Sequence, residues 1–348
     1  MSEGQLEGRS DPALPDCERR VQWGILGCAR IARRCVIPAL TGSTNGAIRA
    51  LASRSLERCR SLARESGIPR AFGTYEELLG DPKVEAVYIP LPNHLHREWT
   101  VRALEAGKHV LCEKPLATNA GEAEAMVRTA QERSLLLMEA FMYRFHPRSH
   151  RIKALIDEGG IGDPRLVRSA FSFRHPDPAD IRFRSGMGGG ALLDVGCYGV
   201  SVARWIFGGE PEEVQAYSEF GPEGVDMTTV GLLRFSGGRL AVVEASFKSA
   251  LQQTFSAVGT EGAIELPHDA YVPWDKDAWF RLRGVNDEEG SLEMTPGADE
   301  YRLMVEHFAD AVLGKQTPEI SPAESVGNMR VLDALARAAR TGRPVKVG

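Results

Sequence analysis

The first half of the chain alternates short apolar runs with longer stretches in which apolar residues recur every three or four positions. The runs predict buried strands, and the longer stretches predict helices with one apolar face. The predicted strands are Val21–Leu26, Ala47–Ser53, Val84–Ile89, His109–Cys112 and Leu135–Ala140. The predicted helices begin near Arg30, at Leu56, at His94 and after the cap Asn119. This alternation indicates a doubly wound parallel α/β sheet, whose ligands bind beyond the carboxyl ends of the strands.

The second half has a different pattern, in which strand-like segments follow one another across short turns such as residues 236–238. These segments cover residues 166–173, 214–220, 228–235, 239–247, 253–259 and 262–266. Short turns predict antiparallel neighbours. Two helices close the chain, and the last begins with a capping box formed by Ser321 and Glu324. The second half therefore predicts an α+β domain with a largely antiparallel sheet, and the change of pattern places the boundary between residues 142 and 143.

Composition changes this picture little, but it excludes several classes of protein. The 348 residues are 43% hydrophobic and 26% charged, as in an ordinary globular protein of two domains. The formal net charge of −5 gives no basic surplus for nucleic acid, and no apolar stretch is long enough for a membrane span. Residues 1–20 are polar and acidic, so we expect a flexible tail rather than a secretion signal. Six cysteines without a CxxC pair predict reduced thiols in a cytoplasmic protein.

The segment Gly27–Ala32 follows the first predicted strand and corresponds to the GxGxxG/A pattern of dinucleotide-binding loops. In that pattern, backbone N–H groups approach a pyrophosphate at a helix N-terminus. Ala29 stands where the pattern has its second glycine, and a glycine between strand and helix is often only a turn. The position at the start of an alternating half favours a dinucleotide site, in a Rossmann domain over residues 21–142. The cofactor contacts expected here are Gly27, Cys28, Ala29, Arg30 and Ile31.

The end of the second predicted strand bears on which dinucleotide binds. An acidic residue there would hydrogen-bond the ribose 2′-hydroxyl of NAD. The chain instead has Ser53 and Arg54, with Arg58 one helical turn further on. A hydroxyl and a guanidinium suit a 2′-phosphate, although an arginine on a surface helix is usually only solvated. These residues therefore favour NADP over NAD.

The strand His109–Cys112 ends in Glu113-Lys114-Pro115. Proline disfavours the helical conformation for the residue before it, so Lys114 is held extended and its ammonium group has a restricted direction. By itself, this feature is as typical of a solvated strand end as of a functional site. Its place at the carboxyl end of a buried strand favours contact with a ligand.

Five stretches, spread over nearly the whole chain beyond residue 20, resemble the Gfo/Idh/MocA oxidoreductases. They are WGILGCARIA (23–32), YIPLPNHLH (88–96), AGKHVLCEKPLA (106–117), MEAFMYRFHP (138–147) and GGGALLDVGCYGVSVARW (188–205). Together they are specific, because EKP followed by DVGxY would rarely co-occur by chance. They are most similar to the NADP-dependent branch that contains glucose-fructose oxidoreductase, xylose dehydrogenase and dihydrodiol dehydrogenase. Many other members have histidine where this chain has Tyr198.

The resemblance implies roles for particular side chains, in a Rossmann domain and in a substrate-binding and oligomerisation domain over residues 143–348. Lys114 would contact the reacting oxygen and the nicotinamide ribose, and the DxGxY motif would supply Asp194 and Tyr198 for catalysis and substrate binding. A lysine cation near the phenol would lower its pKa from about 10, as proton transfer requires. A buried structural tyrosine is the plainer alternative. The other expected contacts are Leu91, Pro92, Asn93, His96, Glu113 and Arg144 for the cofactor, and Arg182 for the substrate.

The resemblance also implies the reaction. We expect hydride transfer between NADP and a carbon-bound hydroxyl or carbonyl of a cyclic sugar or polyol, with oxidation of an aldose C1-hydroxyl to the lactone as the first expectation. Two alternatives stay open at this point. One is NADPH-dependent reduction of a keto-sugar or sugar nucleotide, and the other is a non-catalytic NADP-binding regulator.

The sequence also gives predictions for metal binding and for oligomerisation. His94 and His96, like His146 and His150, lack the cysteine or carboxylate neighbours of a metal site, so no metal is expected. Family members pair through the open face of the second sheet, which predicts a homodimer or homotetramer. The residues expected on that open face are Phe171, Phe173, Val243, Ala245 and Phe247.

Overall fold

The computed structural model describes residues 19–287 and 289–348, and its first half has the predicted alternation of strands and helices. The strands are β1 Val21–Leu26, β2 Gly46–Ala52, β3 Arg70–Phe72, β4 Ala86–Ile89, β5 His109–Cys112 and β6 Leu137–Glu139. The helices are α1 Ile37–Thr41, α2 Leu56–Glu65, α3 Tyr75–Leu79, α4 His96–Glu105 and α5 Ala120–Glu132. All six strands are parallel, in the order β3-β2-β1-β4-β5-β6. This is the strand order of a dinucleotide-binding Rossmann sheet, so the predicted fold class is confirmed for this half.

The local boundaries show where the hydrophobic pattern was insufficient. The pattern did not predict β3 or α3, because three and five residues are too few to show a period. The helix predicted from Arg30 does begin there, and a π-helical turn, Ala32–Val36, separates its first two residues from α1. Asn119 caps α5 as predicted, and its side chain accepts a hydrogen bond of 3.0 Å from the backbone N–H of Glu122.

The second half contains a nine-stranded sheet. Its strands are β7 Pro164–Ser172, β8 Pro211–Phe220, β9 Asp226–Phe235, β10 Leu240–Ser246, β11 Gln252–Gly259, β12 Gly262–Leu266, β13 Ala278–Gly284, β14 Ser291–Thr295 and β15 Val345–Lys346. The order is β14-β13-β12-β11-β7-β10-β9-β8-β15, and the only parallel pair in the described sheet is β7 with β10. The largely antiparallel sheet is thus confirmed. The sequence pattern did not predict β13 and β14, which lie at the edge and alternate charged with apolar residues.

Four helices accompany the second sheet: α6 Pro147–Asp157, α7 Cys197–Phe207, α8 Glu300–Val312 and α9 Pro322–Thr341. Helix α7 packs directly on the sheet. A Cβ at Gly199 would lie 2.7 Å from Ser169 Oγ and 2.8 Å from Val243 Cγ1, so a larger residue would push the helix away. Because α7 follows a π-helical turn, Leu192–Gly196, this close packing also sets the position of Asp194.

The prediction for the open face of this sheet is wrong. Four of the five expected residues are buried and Phe173 is half-buried, because the face that carries them is the one covered by α7 and the preceding turn. Successive residues of a strand point to opposite faces of the sheet, so the residues between the buried ones lie on the uncovered face. The uncovered face presents Tyr217, Val230, Leu232 and Leu240 on three neighbouring strands.

Helices α8 and α9 return to the first half of the chain. The Phe308 ring packs on Trp23 with ring centroids 5.5 Å apart, and the N–H of Ala120 donates to Asp333 Oδ2 at 2.8 Å. The buried apolar residues of both halves form one continuous cluster. The division at residues 142 and 143 therefore falls inside a shared core, and it stays a prediction.

The predicted tail, residues 1–20, lies outside the described residues except for its last two. Arg19 forms an ion pair with Glu85, and Arg20 donates to the backbone oxygen of Ser43 at 2.7 Å. Both of these residues thus contact the folded chain. No helix in the described ranges is both long and apolar enough to cross a bilayer.

Candidate active site

The loop after β1 has the geometry that a dinucleotide-binding turn needs. The φ angle of Gly27 is +113°, and a Cβ there would lie 3.0 Å from Leu91 Cδ2, so the position requires glycine. The loop is tied to β2 by a hydrogen bond of 2.8 Å from Gly27 N–H to the backbone oxygen of Ala52. The helical segment that follows covers residues 30–41, and the N–H groups of its first turn have no partners inside the helix. The residues present therefore fit a pyrophosphate at this edge.

The predicted 2′-phosphate site lies at the end of β2. Ser55 caps α2, which places Ser53 and Arg54 in the turn before the helix and Arg58 in its first turn. Arg54 and Arg58 are exposed, and neither joins an ion pair with another residue of the ranges 19–287 and 289–348. Burial raises the pKa of Tyr75, a residue of α3 that the sequence did not single out, although the charge of Arg54 acts to lower that pKa. Both guanidinium groups are therefore available to an anion.

Lys114, at the carboxyl end of β5, contacts the second half of the chain. Its ammonium group donates to the backbone oxygen of Asp194 at 2.6 Å and to Asp194 Oδ1 at 3.0 Å. The two side chains are only 14% and 17% exposed. An ammonium has three N–H donors, so one remains for a ligand. The structure thus brings together the two motifs that the sequence had placed in separate domains.

Asp194 is shared with a second cation, through a segment of residues 173–190 that we call the strap. Arg182 Nε donates to Asp194 Oδ2 at 2.7 Å. Asp180 Oδ1 accepts hydrogen bonds from the Arg182 side chain at 3.1 Å and from its backbone N–H at 2.9 Å. His175 Nε2 lies 3.4 Å from Asp180 Oδ2. Acidic and basic side chains thus alternate along a chain of hydrogen bonds and ion pairs, which we call the charge chain. Its five residues are His175, Asp180, Arg182, Asp194 and Lys114.

The charges of this chain determine its protonation. Burial opposes ionisation of Asp194, but Lys114 and Arg182 outweigh it and hold the pKa of the carboxyl well below its usual range. Burial likewise acts to lower the pKa of Lys114, yet the negative charge of Asp194 raises it overall. At neutral pH the site therefore contains a carboxylate between two cations.

Tyr198 lies beneath Lys114 in an aromatic cluster with Phe141, Phe171 and Tyr271, at centroid distances of 5.4, 5.3 and 5.0 Å. The ammonium of Lys114 lies 5.2 Å from the centroid of the Tyr198 ring, over its face rather than at its hydroxyl. The hydroxyl donates to Met142 Sδ at 3.6 Å. Burial raises the pKa of Tyr198 well above its ordinary value. The expectation that the lysine lowers this pKa is therefore wrong for the structure described here.

His96 occupies the predicted cofactor region but has no free nitrogen. It is fully buried, with Nδ1 2.9 Å from the backbone oxygen of Pro115 and Nε2 2.7 Å from that of Leu91. We therefore correct its expected role from a nicotinamide contact to a link between two loops. Asn93 and Pro92 are partly exposed beside it, and Asn93 Nδ2 donates to the backbone oxygen of Gly188 in the strap at 2.8 Å.

Arg144 was also expected to contact the cofactor, and the structure places it elsewhere. It is buried, its guanidinium lies 2.6 Å from Glu324 and 3.5 Å from Glu319, and it packs over the ring of Trp205. Ser321 does accept from the backbone N–H of Glu324 at 3.1 Å, as a helix cap should. The carboxylate of Glu324 is directed to Arg144, so the predicted capping box is only half formed. Arg144 holds α9 against the turn that carries it.

Two carboxylates support the loop around Lys114. Glu113 Oε1 accepts a hydrogen bond of 2.6 Å from the hydroxyl of Tyr88 on the neighbouring strand. Glu139 Oε1 accepts one of 2.8 Å from the N–H of Leu116, and burial raises the pKa of Glu139 to about 7. Sequence reasoning missed Glu139, although a carboxylate at the end of a buried strand is the same signal that drew attention to Glu113.

The strap also borders a cavity of about 760 Å³, which His175 of the charge chain lines. It is lined by residues of the strap and of the sheet, among them Arg174, Phe183, Met227 and Phe247. Lys114, Asp194 and Tyr198 do not line this cavity, so we do not assign it to the reacting centre. In the ranges 19–287 and 289–348, no three histidine, cysteine, aspartate or glutamate side chains converge as metal ligands would.

The Rossmann sheet, its glycine loop and the buried lysine at a strand end define a dinucleotide-dependent oxidoreductase. Residues 21–141 match a family described as oxidoreductases with an NAD-binding Rossmann fold, and residues 149–265 match the GFO/IDH/MocA C-terminal domain. The chain therefore belongs to the Gfo/Idh/MocA oxidoreductase family, and the resemblance seen in the sequence is confirmed.

Three relatives show what the chain is similar to. D-xylose 1-dehydrogenase (NADP(+)) 2 of Haloferax volcanii is 42% identical, over 94% of this chain and 100% of its own length. The crystal structure of KijD10, a 3-ketoreductase of Actinomadura kijaniata in complex with NADP and TDP-benzene, has a TM-score of 0.86 at 32% identity and covers 92% of this chain and 98% of its own. An aldose-aldose oxidoreductase of Caulobacter crescentus, complexed with glycerol, has a TM-score of 0.86 at 28% identity and covers 94% and 100%.

Proposed function

We propose that the protein is an NADP-dependent oxidoreductase acting on a cyclic sugar or polyol, with oxidation of an aldose C1-hydroxyl to the lactone as its principal reaction. The observation that carries the proposal is the buried Lys114 ammonium, held by Asp194 with one N–H uncommitted, at the carboxyl end of β5. The similarity to a D-xylose 1-dehydrogenase supports an aldose substrate.

The side chains of the site would bind the oxygen on the reacting carbon and transfer the proton of its hydroxyl group. Bound nicotinamide would supply the hydride acceptor, or the donor in the reverse direction. The free N–H of Lys114 would donate to the substrate oxygen and stabilise the negative charge that develops there. Tyr198 is our candidate for the proton-transferring hydroxyl, since its present partner, the sulfur of Met142 at 3.6 Å, is a weak acceptor. Arg182 is 37% exposed and keeps unused N–H donors for a second substrate hydroxyl.

The choice of NADP rests on the end of β2. A 2′-phosphate placed there would receive hydrogen bonds from Ser53, Arg54 and Arg58, two of which are cations that are exposed and unpaired with other described residues. The absence of an acidic residue at this position removes the partner that NAD would need. Two of the relatives named above carry NADP in their descriptions, which supports the same choice.

A second candidate function, reduction of a keto-sugar or sugar nucleotide, is favoured by the protonation of the site. The pKa of Tyr198 is raised by burial, and that of Lys114 is raised by Asp194 in spite of burial, so both groups carry protons at neutral pH. Proton donors suit the reduction of a carbonyl. A non-catalytic regulator is less well supported, because a regulator has no need for a buried lysine with a free donor.

A substrate screen separates these functions. Purified protein is assayed for NADP reduction with aldoses, inositols and cyclic diols, and for NADPH consumption with keto-sugars, while NADP binding is followed by fluorescence. We expect aldose-dependent NADP reduction. Keto-sugar reduction without aldose oxidation would replace the first proposal with the second. Binding of NADP without turnover of either panel would contradict both and favour the regulator.

We also propose that the protein is a homodimer or homotetramer assembled through the uncovered face of the second sheet. Tyr217 and Val230 are cross-strand partners on that face, and Leu232 is 51% exposed beside them. Contiguous apolar surface of this kind usually marks an interface. Light scattering should give a multiple of the monomer mass, and Leu232→Lys should reduce it. Leu251→Lys, at an exposed leucine in the turn before β11, is the matched control. A monomeric wild type would contradict the proposal.

A further inference from the structure

The cavity of about 760 Å³ beside the strap has an aromatic wall. The ring of Phe183, from the strap, meets the ring of Phe247, which follows β10, edge to face with centroids 5.6 Å apart. His175 packs on Phe183 in the same way, with centroids 5.4 Å apart. Phe247 is buried, whereas Phe183 and His175 are half-buried where they line the cavity. Such a wall suits a ligand with a planar ring, because aromatic rings pack well against one another.

The cavity is held in shape by backbone hydrogen bonds and by prolines. The N–H of His175 donates to the backbone oxygen of Phe247 at 3.1 Å, and the N–H of Phe247 donates to that of Met227 at 2.8 Å. Three lining residues have a φ angle fixed by the pyrrolidine ring, namely Pro176, Pro178 and Pro222. A cavity of this size is typical of small-molecule sites, and one formed in advance loses less entropy when a ligand binds.

The lining of the cavity carries more positive than negative charge. The described residues that line it include three cations and one carboxylate, namely Arg174, Arg184, Lys248 and Glu223. Arg184 forms an ion pair with Glu223, and Lys248 forms one with Glu219. Arg174 is exposed, and it forms no ion pair or hydrogen bond with another residue of the ranges 19–287 and 289–348. Charge complementarity therefore favours an anionic ligand, with Arg174 as its partner.

We propose that this cavity is a second binding site, that its ligand is a planar aromatic carboxylate, and that the ligand stabilises the strap. The ring of the ligand would pack on Phe183 and Phe247, and its carboxylate would accept hydrogen bonds from the guanidinium of Arg174. The site is separate from the proposed reaction, because the residues assigned to the reacting centre do not line the cavity.

The strap connects this second site to Asp194. Phe183 directly follows Arg182, whose Nε donates to Asp194 Oδ2 at 2.7 Å. On the other side, His175 Nε2 lies 3.4 Å from Asp180, which accepts a hydrogen bond from the Arg182 side chain at 3.1 Å. A ligand that packs on Phe183 and His175 would therefore hold Arg182 where it contacts Asp194. The stabilisation should also spread to residues 185–190, which belong to the strap but do not line the cavity.

The first test measures binding directly. Full-length protein is titrated with 2-naphthoate by calorimetry at pH 7, with and without saturating NADP, and we expect the same affinity in both cases. Naphthalene-2-methanol lacks the charge and cyclohexanecarboxylate lacks the aromatic ring, so each should bind more weakly, by about tenfold. Equal binding of the three probes, competition with NADP, or no binding of 2-naphthoate at millimolar concentration would overturn the proposal. Failure of NADP itself to bind would contradict only the cofactor assignment, because the titration without NADP still tests the cavity.

Two variants locate the probe. Arg174→Ala should weaken binding of 2-naphthoate by about tenfold and leave that of naphthalene-2-methanol unchanged. Phe183→Ala should weaken binding of both, by about three- to tenfold. The matched controls are Arg133→Ala, at an exposed arginine of the first half, and Ile181→Ala, at an exposed strap residue outside the cavity lining. Equal losses in the variants and their controls would show that the probe binds elsewhere.

Hydrogen exchange tests the effect on the strap. With 2-naphthoate at ten times its dissociation constant, backbone amides of residues 185–190 should exchange about tenfold more slowly. Arg174→Ala should lose this protection at the same probe concentration. Protection confined to the residues that line the cavity would overturn the proposed stabilisation of the strap.

Discussion

The two ends of the proposed cofactor and substrate cleft differ in whether their charged side chains are buried and paired or exposed and unpaired. Around Lys114 the charged groups are largely buried and already paired with one another across the two halves of the chain. At the other end, beside Ser53, the side chains of Arg54 and Arg58 are exposed and form no ion pair with another described residue. Water solvates exposed cations, whereas a buried ion without a partner would destabilise the fold by several kcal/mol, roughly 3–5. The first end is therefore preorganised before any ligand arrives, and the second forms its interactions only with the ligand. Changes at the first end should affect turnover, and changes at the second should affect selectivity.

The largest effect is expected from Lys114→Ala. Loss of the ammonium removes the donor to the reacting oxygen, and we expect kcat to fall by roughly 10²–10³-fold. Tyr198→Phe is the companion variant, because it keeps the ring beneath the ammonium and removes only the hydroxyl. Circular dichroism and NADP titration should show that both variants fold and bind cofactor. Near-normal kcat in Lys114→Ala would rule out its proposed role.

The pH dependence should be steep in one direction of the reaction. Oxidation needs a group that accepts a proton, and the pKa values of Tyr198 and Lys114 are both raised. Below those values the accepting form is scarce, so kcat/KM for oxidation should rise by about tenfold per pH unit from neutral pH upwards. Carbonyl reduction uses the protonated forms and should stay constant over the same range. Oxidation that is fastest at or below pH 7 would contradict these protonation states.

Cofactor selectivity should depend on the exposed end. A charge-assisted hydrogen bond from Arg54 to a 2′-phosphate contributes about 1.5–3 kcal/mol, or roughly a tenfold to hundredfold preference for NADP. Arg54→Ala should remove most of that preference, and Ser53→Asp should reverse it by repelling the phosphate. Arg60→Ala, at another exposed arginine of α2, is the control. Comparison of kcat/KM for both cofactors decides the matter, and unchanged selectivity in Arg54→Ala would refute the assignment.

The smallest effect is expected at Asp180, at the outer part of the charge chain. Asp180→Asn removes a charged partner of Arg182 that is partly exposed, a change of roughly 0.5–1 kcal/mol. If Arg182 contacts the substrate, KM should rise by about two- to fivefold with little change in kcat. Asp177→Asn is the control, since Asp177 lies on the strap but outside the charge chain. Equal KM values for the two variants would show that Asp180 does not position Arg182.

Much of the fold could be predicted from the sequence because it depends on local patterns. Continuous apolar runs predicted β1 and β5 to the residue, and the change of pattern separated the two sheets. The same reasoning placed Gly27 and Lys114 at strand ends, where parallel sheets bind ligands. Strand β3 and helix α3 were missed because they are too short to show a period, and β13 and β14 because charged residues alternate with their apolar ones.

The sequence by itself determined the order of the longer strands of both sheets, the loop that suits a dinucleotide, and most of the residues that carry its candidate chemistry. The tertiary structure decided which of them meet. Alternation along β10 showed that its two faces differ, but only packing against α7 decided that Val243 lies inside and Leu240 outside. Arg144 and Glu324 are 180 residues apart, and His96 receives both its partners from backbone oxygens of other loops. Hydrogen bonds and charge pairs act over a few ångströms in space, and only the folded chain determines which residues lie within that distance of one another.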